Sequence, residues 1–378
     1  MIFNLISYLK MYRRKFRDKT FAQEYIFVSK ADIESIDKRI LAKYLGQRFI
    51  EGMLLHFTLN VVSLVCFLPV ILAVKILGQL SRFSKDTTGL KCQKLSISSS
   101  NIDYYESHII AIDSSSMIYF DASFRLFVSY IFGKEIRLPA YPALVVTILT
   151  GRWTKVVEIH SPKQVYCSNE YSFSSPSCFR VCHERNIELI NIMHGEKVYD
   201  IVDAFNIYHR IICWHQRYEE LFRKLRWSFG DVMICCPFNL DQTTRLDRTS
   251  YDNTWNFNAE ICYYLQGDVD EVKSTILFLA SRFKKLRLRP HPKYTSKKIS
   301  ENICDVHLDV NDSIRFYEYI CSAYSTVLFQ AHMLNKKVLI DDLSKTFANE
   351  PGRWWMRDEM PDGVFLLSEL EEFTHEYK

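Results

Sequence analysis

The sequence predicts an α/β protein of two lobes, each a parallel sheet covered by helices, behind a helical N-terminal segment that is basic and then apolar. Three observations predict it. Short apolar runs alternate with helix-period stretches from about residue 93, and the alternation breaks over Pro237 to Phe257 and then resumes. The chain of 378 residues, 48% hydrophobic and 24% charged, is long enough for two globular cores. The expected boundaries are 1–92 for the N-terminal segment, 93–245 for the first lobe and 246–378 for the second.

The N-terminal segment departs from the rest. Residues Lys10 to Lys19 carry six basic side chains against one acid, and Met53 to Val74 then run for 22 residues without a charge. That length suffices for a membrane span, but His56, Asn60, Ser63 and Pro69 interrupt it and Lys75 follows directly. Three readings stay open: peripheral contact with an anionic bilayer, a true span, or a buried helix pair. Peripheral contact is carried forward.

In the first lobe, KLSIS, HIIAID, MIYFDA and QVYCS read as strands, followed by a helix over Ser174 to Glu184 and the strand IELINIM. RIICW, a helix over Tyr218 to Leu225 and DVMICC complete it. In the second lobe EICYYLQ, KLRLRP, DVHLDV and KKVLIDD read as strands. The helices between them are expected at Val269 to Phe283, Ser313 to Tyr319 and Thr326 to Leu334. No GxGxxG or P-loop occurs, which removes support for a dinucleotide dehydrogenase or a P-loop kinase.

Charge and cysteine content narrow the class. A net charge of +4 argues against a general nucleic-acid binder. Eleven cysteines, with no signal-peptide pattern before them and no paired CxxC, fit a reducing cytoplasm. Cys178, Cys182 and His183 lie close in sequence, but two ligands on one helix turn without a distant second pair read as buried core thiols rather than zinc ligands.

Ligands of parallel sheets sit at the carboxyl ends of strands, where helix N-termini favour anions. Three segments end there: NIMHGE with His194, Gly195 and Glu196; LRPHPK with Arg289, His291 and Lys293; and SAYSTV, whose Ser325 and Thr326 stand at a helix start. Arg289 can fork onto phosphate oxygens, His291 can donate a hydrogen bond or proton, and the hydroxyls add to the helix terminus. Taken singly, each has a bland reading as a solvated rim, a turn or a cap. Their joint order is much harder to explain by structure alone.

INIMHGE, LRPHP and SAYSTVLFQAHMLNKKVLIDD resemble the signature regions of GT-B-fold transferases that build bacterial surface polysaccharides, over roughly Gln164 to Asp342. The nearest likenesses are the CDP-glycerol and CDP-ribitol phosphotransferases and the capsule sialyltransferases. The resemblance implies two Rossmann-like lobes facing a central cleft. It also implies donor phosphate held by Arg289, His291, Ser325 and Thr326; Lys293 and Gln266 are expected to join them as donor-binding residues.

His194 or Glu196 is expected to act as base toward the acceptor, and His291 to stabilise the leaving phosphate. MHGEK in place of WHGTP, and Lys337-Val338 in place of Lys-Pro, favour a sugar transferase over a polyol-phosphate enzyme. Gln330-Ala331 stands where many nucleotide-sugar enzymes carry Glu-Ala. The expected donor is a nucleotide sugar, CMP- or CDP-linked by preference. The expected acceptor is a lipid-linked or oligosaccharide glycan such as capsule, O-antigen or lipooligosaccharide.

The reaction is expected to need no metal and no cofactor, at the inner face of the cell membrane. A polyol-phosphate transferase, an epimerase of the same fold and a non-catalytic binding protein are the alternatives.

Overall fold

The structure, a computed structural model, describes residues 19–83, 92–96, 109–111, 119, 121–134, 136–168, 173–193, 195–235, 255–266, 269–291, 304, 308–344 and 346–372. The chain divides into two compact units. One comprises Met1–His194 with Asp200–Cys235, and the other Gly195–Tyr199 with Cys236–Lys378.

The first unit opens with helices α1 (Phe21–Lys30), α2 (Ile36–Glu51) and α3 (Met53–Phe83). Thr20 starts α1 with a reciprocal cap: its hydroxyl accepts from the Gln23 amide at 3.4 Å and its own amide donates to Gln23 Oε1 at 3.1 Å. Gly52, at φ 98°, lets the chain turn from α2 into α3. The charge-free run is therefore one helix, not a buried pair, and it continues through Pro69. Packing offsets the lost backbone bond there: Phe67 stacks on Phe127 at 4.7 Å and on Phe124 at 5.9 Å.

Strands β1 (Lys94–Ser96) and β2 (Ile110–Ala111) come next, then α4 (Phe124–Phe132), α5 (Ala140–His160), β3 (Gln164–Cys167), α6 (Ser174–Glu184), β4 (Glu188–Ile192), β5 (Arg210–Cys213), α7 (Gln216–Lys224) and β6 (Asp231–Ile234). The sheet is wholly parallel in the order β2-β1-β3-β4-β5-β6. Val165, Leu189, Ile190 and Ile211 are fully buried in it, as expected where helices cover both faces. A second core forms among the helices, where Ile40, Tyr44, Ile71, Phe127 and Val146 meet.

The second unit holds β7 (Glu260–Tyr264), α8 (Lys273–Arg282), β8 (Lys285–Arg289), α9 (Val310–Phe316), β9 (Tyr319–Ser322), α10 (Thr326–Met333), β10 (Lys337–Ile340), α11 (Trp355–Glu359), β11 (Val364–Leu366) and α12 (Glu369–Glu372). Its sheet is also wholly parallel, ordered β11-β10-β9-β7-β8. Asp341 is fully buried just past β10. Tyr263 Oη donates to it at 2.6 Å, and the amides of Leu343 and Ser344 at 3.1 and 3.0 Å. Burial first, and then the Asp341 charge, push the Tyr263 hydroxyl pKa upward, so the phenol stays a donor.

Several sequence expectations require correction. DVHLDV is not a strand over Leu308 to Val310, because Asp309 accepts from the Asp312 amide at 2.9 Å and caps α9. The strand is YICS, with all four residues buried, and its Tyr319 had been expected to end a helix. A buried run of four residues has too few turns for periodicity to separate helix from strand. In MIYFDA the described residues Tyr119, Asp121 and Ala122 are not in a strand, and Tyr119 Oη instead meets His160 Nε2 at 2.8 Å.

Gly151 in α5 sets a close approach. A Cβ there would lie 2.3 Å from the Asp121 carbonyl oxygen and 2.7 Å from its carbon, both backbone atoms. Alanine would gain about 1 kcal/mol of helix propensity, but the clash costs about 1–3 kcal/mol through backbone displacement. Gly151→Ala is therefore expected to destabilise the first unit, read as a lower denaturation midpoint; an unchanged or raised midpoint would show that residues 121–122 yield freely.

Candidate functional site

The site is built on the carboxyl edge of the second sheet. After β8 the chain crosses to the other side of β7 to form β9, so β7 and β9 flank the point where strand order reverses. Parallel sheets bind ligands in the crevice outside such a point. Register aligns three strand ends there: Tyr264 lies opposite Arg289, and Tyr263 opposite Cys321. The Leu265 amide donates to the Arg289 carbonyl at 2.9 Å, and Ser322 Oγ donates to the Tyr264 carbonyl at 2.8 Å.

Gln266, Arg289 with His291, and Ser325 with Thr326 thus project from neighbouring strand ends, and all five are half-buried. Ser325 is the cap of α10, its hydroxyl accepting from the Val327 amide at 3.3 Å. A hydroxyl oxygen so used still has its own hydrogen to donate. Asp309 is also close enough for the Arg289 charge to act on it. Its carboxyl pKa is lowered, chiefly by the Asp312 amide and to a lesser degree by Arg289.

Glu196 is where the structure adds most. Residues 195–199 pack in the second unit, not with β4, which precedes them in sequence. The Glu196 amide donates to Thr326 Oγ1 at 2.9 Å, and Tyr324 Oη donates to the Glu196 carbonyl at 2.7 Å. Its carboxylate is buried and accepts from Trp354 Nε1 at 2.9 Å, while Tyr324 meets the Trp354 ring edge-on at 5.7 Å.

Arg353 completes the anchorage. Its Nη1 donates to the Tyr199 carbonyl at 3.1 Å, and the Tyr199 amide donates back to the Arg353 carbonyl at 2.7 Å. Gly195 does not sit at positive φ, and a Cβ there would make only an ordinary 3.5 Å contact with Thr326 Oγ1. Relief of backbone strain is therefore not why a glycine stands at this turn.

His194 and Lys293 lie outside the described residues. Tyr324, Arg353 and Trp354 were not singled out from sequence. Tyr324 stands inside the SAYSTV motif and was legible there, whereas nothing local marks GRWW as a partner of residues 196–199. Cys178 and Cys182 are buried with sulfurs 3.9 Å apart, and burial raises the Cys178 thiol pKa well above its usual value. His183 stacks on Phe179 at 5.4 Å.

Fold and site define a two-unit parallel α/β protein with cationic and hydroxyl side chains at the switch point of its second sheet. By sequence the chain matches no family model and no curated protein. By structure it is similar, at 10% identity and a TM-score of 0.35, to the wall teichoic acid polymerase TagF with CDPG, over 75% of this chain and 78% of that one. It is also similar, at 10% identity and a TM-score of 0.40, to UDP-GlcNAc 2-epimerase from Neisseria meningitidis bound to UDP-GlcNAc, over 76% and 93%. A third likeness is the glycosyltransferase SnogD from Streptomyces nogalater, at 9% identity and a TM-score of 0.29, over 63% and 71%. Likenesses this distant leave the chemistry to be read from the chain's own residues.

The indole bond to Glu196 makes a direct prediction. Trp354→Phe keeps the packing but removes the donor from a buried carboxylate, at an expected cost of about 1–3 kcal/mol. Denaturant unfolding measures it; a loss below about 0.5 kcal/mol, the lower end for a net hydrogen bond, would mean that the carboxylate is satisfied without Trp354.

Proposed function

We propose that this chain is a glycosyltransferase of GT-B type that moves a sugar from a nucleotide-activated donor to a lipid-linked or oligosaccharide acceptor of a bacterial surface glycan. The observation that carries the proposal is the meeting, at one sheet edge, of a cationic strand end and a hydroxyl-bearing helix N-terminus. Arg289 and His291 leave β8, and Ser325 and Thr326 open α10 after β9, on the same carboxyl edge with β7 between the two strands. Such an arrangement is complementary to a phosphate. The preference for a cytidine nucleotide rests on the HP resemblance alone.

In the proposed reaction the bond between the anomeric carbon and the nucleotide phosphate oxygen breaks, and the acceptor hydroxyl oxygen bonds to that carbon. Negative charge grows on the departing phosphate. Arg289, His291, Lys293 and the α10 terminus would stabilise that charge more in the transition state than in the ground state. These groups supply positive charge without a metal, so a metal-independent reaction is proposed. The acceptor proton would pass to His194. Glu196 is read as a positioning residue, since its carboxylate already accepts from the Trp354 indole and its backbone fixes the turn on Thr326 and Tyr324.

A ligand test comes first. Thermal shift against CMP, CDP, UDP and GDP is expected to show stabilisation by a cytidine nucleotide; stabilisation by UDP or GDP alone would overturn the base preference, and by none of the four the donor site itself.

Substitutions then separate the roles. His291→Ala is expected to lower turnover about 10²-fold or more, as loss of one preorganised donor does, with little change in folding stability. Arg289→Ala is expected to weaken donor binding as well, because a forked phosphate contact exists already in the ground state. His194→Ala should abolish transfer with donor binding kept, while Glu196→Gln, which keeps the indole acceptor, should retain it. Activity in His194→Ala with loss in Glu196→Gln would make the carboxylate the base.

A further inference from the structure

Twelve of the 22 large apolar side chains found exposed among the described residues lie on one helix, α3, between Met53 and Leu80. They are not scattered. The buried positions His56, Leu59, Ser63 and Ile71 form a stripe at helical spacing that faces the body of the first unit, flanked by half-buried Asn60, Phe67, Val70 and Val74, and the opposite side is open. Val65 is 73% exposed and Met53 74%. An apolar surface of this extent is well beyond the solitary exposed leucines of ordinary soluble proteins.

The covered face is tied down by polar bonds as well as by packing. Asn60 Nδ2 donates to Tyr44 Oη at 2.6 Å, and Asn60 Oδ1 accepts from the Tyr141 amide at 2.9 Å. His56 Nε2 and Glu51 Oε2 are 2.9 Å apart and wholly buried. Phe67, Val70 and Val74 join the helical core formed with α2, α4 and α5. To cross a bilayer, α3 would have to break this seam or carry its polar neighbours into hydrocarbon, and both are costly.

Beside it, α4 extends the apolar surface and frames it with charge. Phe124 stacks on Phe67 and is exposed, and Phe132, at the far end of α4, is 71% exposed. Arg125, Lys134 and Arg137, within five residues of these two rings in sequence, are exposed, and Lys75 is exposed on α3. Exposed large apolar side chains accompanied by exposed cations on the same helices and the turn after α4 are complementary to one surface above others, an interface of acyl chains beneath anionic headgroups.

We infer that α3 and α4 together form an in-plane membrane-binding face. The open side of α3, with Phe124 and Phe132, enters a single leaflet of an anionic bilayer, and Lys75, Arg125, Lys134 and Arg137 engage its headgroups. This inference stands apart from the transferase reading and can fail or hold without it.

Flotation of the full-length protein with vesicles tests it, using phosphatidylcholine alone or mixed with phosphatidylglycerol. The protein is expected to float with the anionic vesicles and to be weakened by salt. Val65→Asp and Phe132→Asp, both at exposed positions, should each lower the bound fraction about tenfold or more, the loss expected when a large apolar side chain is withheld from an apolar phase. Circular dichroism should stay unchanged.

Reversal of Arg125, Lys134 and Arg137 to Glu should abolish the preference for the anionic vesicles. No flotation at low salt, or flotation unaffected by Val65→Asp and Phe132→Asp, would overturn the inference. So would resistance of the cell-expressed protein to alkaline carbonate extraction, which marks a spanning helix. Self-association in lipid-free buffer that Val65→Asp abolishes, without vesicle binding, would assign the face to a second copy of the chain instead.

Discussion

Strands that all run the same way put all their carboxyl ends on one edge, and the second unit depends on that constraint. Because β9, β7 and β8 are adjacent and parallel, segments far apart in sequence, ending in Gln266, His291 and Ser325, emerge together. The reversal of strand order beside β7 opens a crevice that a simple sequential order would close. The same constraint accounts for the composition of the strands. Cys262, Tyr263, Ile320 and Cys321 are buried because helices cover both faces, so polar chemistry is confined to the strand ends.

Burial at that edge is selective. The Glu196 carboxylate, the Tyr324 hydroxyl, the Trp354 indole and the Arg353 guanidinium are engaged with one another's backbone or side chains around residues 195–199. The Glu196 carboxylate, the Trp354 indole and the Arg353 guanidinium each meet a partner as they leave water, as a stable interior requires. The turn after β4 is consequently held by the second unit's own side chains and not by the sheet that leads into it. Arg289 and His291, by contrast, stay half-exposed. Rigid support beside an accessible guanidinium and imidazole is what a preorganised anion site needs.

The first unit manages a different conflict. Its α3 carries more apolar surface than α2, α4 and α5 can cover, yet Asn60 and the His56–Glu51 pair bind one face to them. A purely apolar helix would have no reason to keep one face on the protein once lipid was available. The buried polar bonds supply that reason, because lipid offers them no replacement partners.

Much of this was legible in the sequence. Alternating apolar runs gave away both parallel sheets, since period and run length are local properties, and the RPHP and SAYST segments stood out because strand ends are marked by proline, charge and caps. Other features were not. The strand lies at YICS and not over Leu308 to Val310, because short runs look alike as strand or helix until neighbouring strands claim their hydrogen bonds. The uncharged run from Met53 to Val74 was equally compatible with core, span or surface. Packing adds only which side is covered: His56, Leu59, Ser63 and Ile71 are buried and Val65 is open. Sequence alone set which residues are cationic, hydroxylated or apolar, and in what order. Tertiary structure alone decided that Glu196 belongs with Thr326 and Trp354, because hydrogen bonds between residues 130 and 158 positions apart leave no trace in local periodicity.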